Sequence, residues 1–414
     1  MHKPTPQWQM DTLLTHAGRK GKAHSGPVNP PVIRASTMLF PNVAALNKAS
    51  GTRGIYGRHG NETTHALEHA LCAAEGAAAC LLTPSGLSAI TTTLLALLQP
   101  GDHLLMVDTT YDPTRLFCEG MLKQIGVSTT YYDPLIGAGI SALMQPNTKV
   151  VFVESPGSLT FEVQDIPAIA KIAHAQGALV VSDSTWATPI GWSSFELGID
   201  VSLHAATKYI VGHSDALMGI ILTTAALAER LRCTYKQLGL TISGDDAALA
   251  LRGLRTLSAR LAMHRSSAHQ IATWLKAQPE IAEVLYPPME GSAGHAIWKR
   301  DFRPEYACGL MGAVFRADIS EEQVAALIDR TELFGIGFSW GGFESLILPT
   351  APRHCRSINA EHWQAPMMRL HVGLEGVQDL ISDLECGFDV LRTMQVKQAT
   401  MTMPINTTSH KTAA

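Results

Sequence analysis

Lys208 lies in the stretch DVSLHAATKYIVGHSDALMG, directly after a short apolar run and among small and polar residues. Lysine is costly to bury without a task. Desolvation lowers the pKa of an ε-amine, and the free amine is the form that condenses with an aldehyde. Lys208 is therefore a candidate for a Schiff base. A solvated lysine after a strand end is the alternative, and the TK dipeptide alone does not separate the two.

A second group narrows the choice. The apolar run ALVV leads straight into Ser182, Asp183 and Ser184, which puts a carboxylate at the carboxyl end of a buried strand, where open parallel sheets bind ligands. Asp183 can pair there with a protonated pyridine nitrogen and keep such a ring an electron sink; as a lone residue it reads equally well as a turn or helix cap. The run LLTPSGLSAITT ends in Pro84, Ser85 and Gly86 and opens a helix. Backbone N–H groups of Gly86 and Leu87 at that helix start, with the hydroxyl of Thr207, suit a phosphate. Aldehyde, pyridine nitrogen and phosphate are the three handles of pyridoxal phosphate. Tyr111, just past HLLMVD, can stack on such a ring, and the loop GIYGRHG offers Tyr56 and Arg58.

These groups need a scaffold that presents strand ends side by side. From about residue 63, helical periodicity alternates with short β-branched runs, which predicts crossover units feeding a mainly parallel sheet, an α/β fold. The predicted strands are 79–83, 103–108, 149–154, 179–183 and 201–205, with helices over 86–98, 113–125 and 165–176. Runs such as VVFV and ALVV are apolar throughout, as strands covered on both faces should be. A long helical run over 244–277 ends in the breaker-rich LYPPMEGSAG. The predicted division is an extended arm over 1–60, a cofactor domain over 61–256, a smaller C-terminal α+β domain over 257–395 and a polar, disordered tail over 396–414.

Composition closes off other classes. The chain has 414 residues, 46% of them hydrophobic, and a formal net charge of −4, with no basic excess to neutralise a run of phosphates or an anionic lipid surface. Nucleic acid and membrane are not expected partners. No apolar run approaches the roughly 20 residues needed to span a bilayer, and the first residues lack the apolar core of a secretion signal. The seven cysteines are scattered and never spaced as CxxC, which predicts reduced thiols in a cytoplasmic protein and no metal site.

Taken together, YGR, ESPGS, DSTWATP, ATKYIVGHSD, SWGGFESL and RLHVGLE, in this order, resemble the transsulfuration (Cys/Met metabolism) family of pyridoxal phosphate enzymes over residues 10 to 392. The resemblance implies a type I aminotransferase-like fold and a homotetramer built from tight dimers, with Tyr56 and Arg58 reaching the phosphate in the neighbouring subunit. It implies that Lys208 holds the cofactor and moves protons, with Tyr111 as a second catalytic residue. Arg369 would take the substrate carboxylate, beside Ser339 and Trp340, with Tyr56 also facing the substrate.

Two departures from the family pattern stand out: Ala205 replaces a serine three residues before the lysine, and Ser158 replaces an asparagine that contacts the ring hydroxyl. With Trp186 and Trp340 they are similar to members that act at Cβ. The implied reaction is β-elimination of L-cystathionine to homocysteine, pyruvate and ammonia. A broad cysteine-S-conjugate β-lyase or cysteine desulfhydrase, and a cystathionine or methionine γ-lyase, are the alternatives. Asp112, Arg115, Arg58 and Tyr56 are the candidates for binding the distal head of the substrate.

Overall fold

The computed structural model describes residues 8–20, 25–50 and 54–402. Its larger sheet has seven strands: β1 (Ala79–Thr83), β2 (His103–Val107), β3 (Ser128–Tyr132), β4 (Thr148–Glu154), β5 (Leu179–Asp183), β6 (Val201–Ala205) and β7 (Gly219–Thr223). They lie in the order β1-β7-β6-β5-β4-β2-β3. Only β7 runs against its neighbours β1 and β6; the other adjacent pairs are parallel. Residues 104–107, 150–153 and 180–181 are buried on both faces of the sheet, which is why their sequences show no polar alternation.

Two of these strands go beyond the sequence-based expectation. β3 reads STTYY and is half-exposed at the sheet edge, so no apolar run marks it. β7 reads GIILT and is wholly buried; an apolar run that short does not distinguish strand from buried helix by periodicity.

The second sheet contains β8 (Ile281–Leu285), β9 (Leu310–Phe315), β10 (Gly335–Ile336), β11 (Leu346–Thr350) and β12 (Met367–His371), in the order β10-β11-β12-β9-β8. It is antiparallel except for the β10–β11 pair. The helical run after residue 244 is broken at Thr256 (φ −111°, ψ 10°) into Gly244–Arg255 and Leu257–Lys276.

The first sixty residues are not simply extended. They contain the helices Met10–His16 and Val43–Ala49. Asn42 caps the second through the Ala45 N–H at 2.8 Å. The first is held against the body by buried Leu14 and by Arg255, which donates to Leu14 O and Ala17 O at 2.6 Å each. At the other end, the helix from Val377 continues to Thr402, past residue 396 where the polar tail was expected to begin. Lys397, Gln398 and Ala399 are good helix formers, and Pro404 is the first breaker; residues 403–414 lie outside the described residues. All seven cysteines are described and none is in a disulfide. Among the described residues, no helix is long and apolar enough to cross a membrane.

Candidate active site

Five candidate residues gather at the carboxyl ends of the larger sheet because each ends or directly follows a strand. Asp183 ends β5, Lys208 follows β6, Gly86 follows β1, Tyr111 follows β2, and Glu154 ends β4 in register with Asp183. Lys208 sits in a tight turn in which its N–H donates to Ala205 O at 3.1 Å and its carbonyl accepts the Gly212 N–H at 2.9 Å. Its Nζ donates to Ser339 Oγ at 2.8 Å and lies 5.5 Å from the centre of the Trp340 ring. Burial lowers the amine to about 8, helped by the Arg369 charge and opposed by Asp183. Far more of it is therefore free base near neutral pH than for an ordinary lysine, and the free base is the form that attacks an aldehyde.

Asp183 Oδ1 accepts the Thr185 N–H at 3.0 Å. Burial raises its pKa, against the pull of Thr185 and the charges of His204 and Lys208. A carboxylate held in that balance gains from a cation placed against it, and a pyridinium is such a cation. Ser85 caps the helix Gly86–Leu97 by accepting the Ser88 N–H at 3.1 Å, so the cap does not occupy the Gly86 and Leu87 amides. A Cβ on Gly86 would lie 2.6 Å from Ala205 Cβ. Glycine there lets the helix start press onto the end of β6, beside Thr207. The Thr207 hydroxyl accepts the Met218 N–H at 3.1 Å, while its own proton has only a long 3.4 Å bond to Met218 O. That proton can turn to a phosphate. The buried carboxylate and the glycine-floored helix start thus both fit pyridoxal phosphate.

Arg369, on β12, donates to Ser339 O at 3.1 Å, so this arginine and Lys208 both contact the same loop. Tyr111 is half-exposed, and its backbone N–H donates to Glu154 Oε2 at 2.7 Å. Burial raises the Tyr111 phenol, as do the charges of Asp183 and Glu154. Tyr56 and Arg58 are arranged differently. The Arg58 guanidinium lies 5.8 Å from the centre of the Tyr56 ring, and Arg58 lines a cavity with Ile55, Leu82 and Tyr235; none of the contacts described here joins either residue to Lys208.

Two further expectations change. Trp186 packs edge-to-face on Phe302 in the core, 5.8 Å between ring centres, whereas the Trp340 ring stands beside Lys208 Nζ. Arg115, a candidate for the distal substrate head, is buried and already engaged with Asp108 at 2.6 Å and Ser357 at 2.7 Å. Asp108 also takes Arg356 at 2.8 Å and the backbone N–H groups of Ser357 and Ile358. It thereby ties the loop before β12 to the end of β2. Sequence reasoning overlooked Glu154, although it opens the ESPGS motif. Its signal was a carboxylate ending an apolar strand next to the Asp183 strand, and burial raises it well above the usual range.

The model of the Cys/Met metabolism PLP-dependent enzymes matches residues 11–389. The chain belongs to this family. Pyridoxal phosphate is accordingly its cofactor, and the α/β fold is the one its solved relatives share. The family member is 42% identical over 389 residues to cystathionine beta-lyase MetC of Escherichia coli K12, covering 92% of this chain and 98% of that protein. It is 46% identical over 382 residues to a putative cystathionine beta-lyase of Rhizobium johnstonii, covering 92% and 96%. Among solved structures, cystathionine gamma synthase of Xanthomonas oryzae pv. oryzae in complex with aminoacrylate and cysteine superposes with a TM-score of 0.85. That protein is 31% identical, with 94% of this chain and 100% of the other covered. This PLP-dependent enzyme thus has relatives acting at both carbons, so specificity must be argued from its own residues.

Proposed function

We propose that this enzyme catalyses β-elimination of L-cystathionine to homocysteine, pyruvate and ammonia. The observation that carries the reading is one loop: Ser339 holds Lys208 Nζ at 2.8 Å, Trp340 stands 5.5 Å from it, and Arg369 bonds Ser339 O. Similarity to named cystathionine β-lyases supports the substrate. Bound at Lys208, pyridoxal phosphate supplies an electron sink for negative charge at Cα. Arg369 takes the α-carboxylate through two parallel N–H bonds, which fixes how Cα faces the site. Lys208, once its amine is free, removes the Cα proton, with Ser339 Oγ keeping Nζ in reach. Asp183 would pair with the cofactor's ring nitrogen and keep the ring an electron sink, and Tyr111 would lie against the ring. The Cβ–S bond then breaks. Sulfur leaves as homocysteine after gaining a proton, and the three-carbon remainder takes up water to end as pyruvate and ammonia.

Release at Cβ needs one deprotonation, whereas release at Cγ needs a second one at Cβ and a substrate folded to present it to the same base. The Trp340 indole beside the clamp restricts that folding. A difference of about 3 kcal/mol between the two transition states gives roughly a hundredfold preference. Incubation with L-cystathionine should yield pyruvate and homocysteine as the dominant pair. If 2-oxobutyrate and cysteine dominate, the β-lyase reading fails while the cofactor assignment stands. If simple cysteine conjugates turn over faster than cystathionine, the broad C–S lyase reading replaces it.

We also propose that the working form is a cytoplasmic homotetramer of dimers in which Tyr56 and Arg58 serve the neighbouring subunit, and that the chain divides into domains at 256/257. The basis for the first part is that both residues lie on the N-terminal arm, where Arg58 stands against the Tyr56 ring and lines a cavity with Ile55, Leu82 and Tyr235. Mixing inactive Arg58→Ala and Lys208→Ala chains should restore up to about a quarter of wild-type activity, because half of the exchanged dimers are hybrids and each rebuilds one of two sites. No recovery after verified subunit exchange would mean that Arg58 acts within its own chain or has no role.

A further inference from the structure

His371 is the last residue of β12 and is fully buried. Its two ring nitrogens face two different parts of the site. Nδ1 lies 3.3 Å from the Tyr209 hydroxyl, and Tyr209 adjoins Lys208 in the chain. Nε2 lies 3.1 Å from both the Gly341 N–H and the Gly342 carbonyl, the backbone that follows Ser339 and Trp340. In either neutral tautomer the ring ties that loop: an unprotonated Nε2 accepts from Gly341, and a protonated one donates to Gly342. An imidazolium would set an N–H against the Gly341 donor, and burial, aided by His264, lowers the ring to about 3, so the neutral form persists at working pH.

The loop has little freedom apart from this tie. Ser339 and Gly341 have φ of +104° and +86°, and a Cβ on Gly341 would lie 2.6 Å from Tyr209 N and 2.8 Å from Lys208 C. The loop therefore crosses directly over the Lys208–Tyr209 peptide. Tyr209 is held in turn: its hydroxyl accepts the Gly309 N–H at 2.8 Å, and its ring packs 5.2 Å from His264 and 5.6 Å from Trp340. His264 donates through Nδ1 to Val372 O at 2.7 Å, since a carbonyl only accepts. Arg369 sits two residues before His371 on the same strand and bonds the same loop at Ser339 O.

We propose that His371 is a positioning residue that sets the geometry of the substrate pocket by joining the Lys208 segment, the Ser339–Gly342 loop and the Arg369 strand at one imidazole. It touches neither cofactor nor substrate. Its contribution is to keep Ser339 Oγ on Lys208 and Trp340 beside it, so that the base and the carboxylate clamp keep one relative placement. For turnover this rests on the proposed β-elimination, but the tie itself can be tested without substrate.

The test compares three variants of the cofactor-loaded enzyme: His371→Phe, His371→Gln and His371→Asn. Phenylalanine fills the space and loses both ties. A glutamine amide reaches the Nε2 position and can keep the loop; an asparagine amide reaches only the Nδ1 position and keeps Tyr209. Hydrogen-exchange mass spectrometry over residues 336–345 should show exchange roughly tenfold faster or more in the Phe and Asn variants and near wild type in Gln. With L-cystathionine at matched cofactor content, KM should rise about tenfold and kcat fall about tenfold in Phe and Asn, with Gln within roughly threefold on both. Should the Phe variant not fold, the Gln and Asn pair decides. Equal exchange and equal kinetics in Gln and Asn would overturn the proposal. A wild-type enzyme inert toward L-cystathionine would instead remove the proposed function, leaving the exchange result to judge the tie.

Discussion

Lys208→Ala should remove the visible absorbance of the cofactor-loaded protein, leave nothing for borohydride to fix covalently, and lower turnover by roughly ten-thousandfold. Loss of a positioned proton-transfer group alone costs about 10²–10⁴ in rate, and the same side chain also holds the cofactor. Its environment is built for both tasks. Burial and the Arg369 charge lower the amine to about 8, and Ser339 Oγ accepts a hydrogen bond from Nζ at 2.8 Å. The pKa sign gives a second readout. Below about pH 8 the amine is mainly an ammonium ion, which cannot attack an aldehyde, and above it the free base prevails. The cofactor-free protein should therefore capture pyridoxal phosphate faster as pH rises through about 8, rather than near the 10.5 of an ordinary lysine. Near wild-type turnover in Lys208→Ala, measured in buffer free of added amines, would end the assignment.

Asp183→Ala should weaken cofactor binding and slow turnover at saturating cofactor, each by about two to three orders of magnitude. Removing one partner of a buried charge pair costs about 3–5 kcal/mol, and each 1.4 kcal/mol is about tenfold. Asp183 is already pushed upward by burial, with Thr185, His204 and Lys208 opposing the shift, so a cation beside it favours the charged carboxylate. Without Asp183 the ring nitrogen loses its proton, and with it the ring's capacity to accept charge from Cα. Asp183→Asn, which keeps the shape and removes the charge, should lose turnover nearly as fully as Ala while retaining more of the cofactor affinity. Equilibrium dialysis with pyridoxal phosphate and keto-acid release at saturating cofactor separate the two effects. Cofactor affinity and turnover both within threefold of wild type in Asp183→Ala would remove Asp183 from the site.

Much of the larger sheet was legible because it is written locally. VVFV and ALVV are apolar on every residue, which only strands covered on both faces can tolerate, and both lie in the buried centre of the sheet as β4 and β5. Lys208, Asp183 and Gly86 could be read for a related reason: in a parallel sheet, chemistry gathers at carboxyl ends, so a strand and the polar residue closing it fix each other's meaning. β3 and β7 were not legible, since one is a polar edge and the other a short apolar run without periodicity. The first helix of the arm was hidden because a partner that holds it, Arg255, lies more than two hundred residues away.

The sequence by itself determined the family and with it the cofactor, through motifs spread in order along the chain, and it singled out candidate site residues by their types beside strand ends and a helix start. The tertiary structure decided how those residues act on one another. Ser339 meets Lys208 across 131 positions, and His371 meets Tyr209 across 162. Arg115 is claimed by Asp108, and Trp186 turns into the core against Phe302. No local pattern encodes such pairings. The Ser339 and His371 pairings exist only once the second sheet and the Ser339–Gly342 loop have packed against the end of the first sheet, where burial sets both the distances and the charge states.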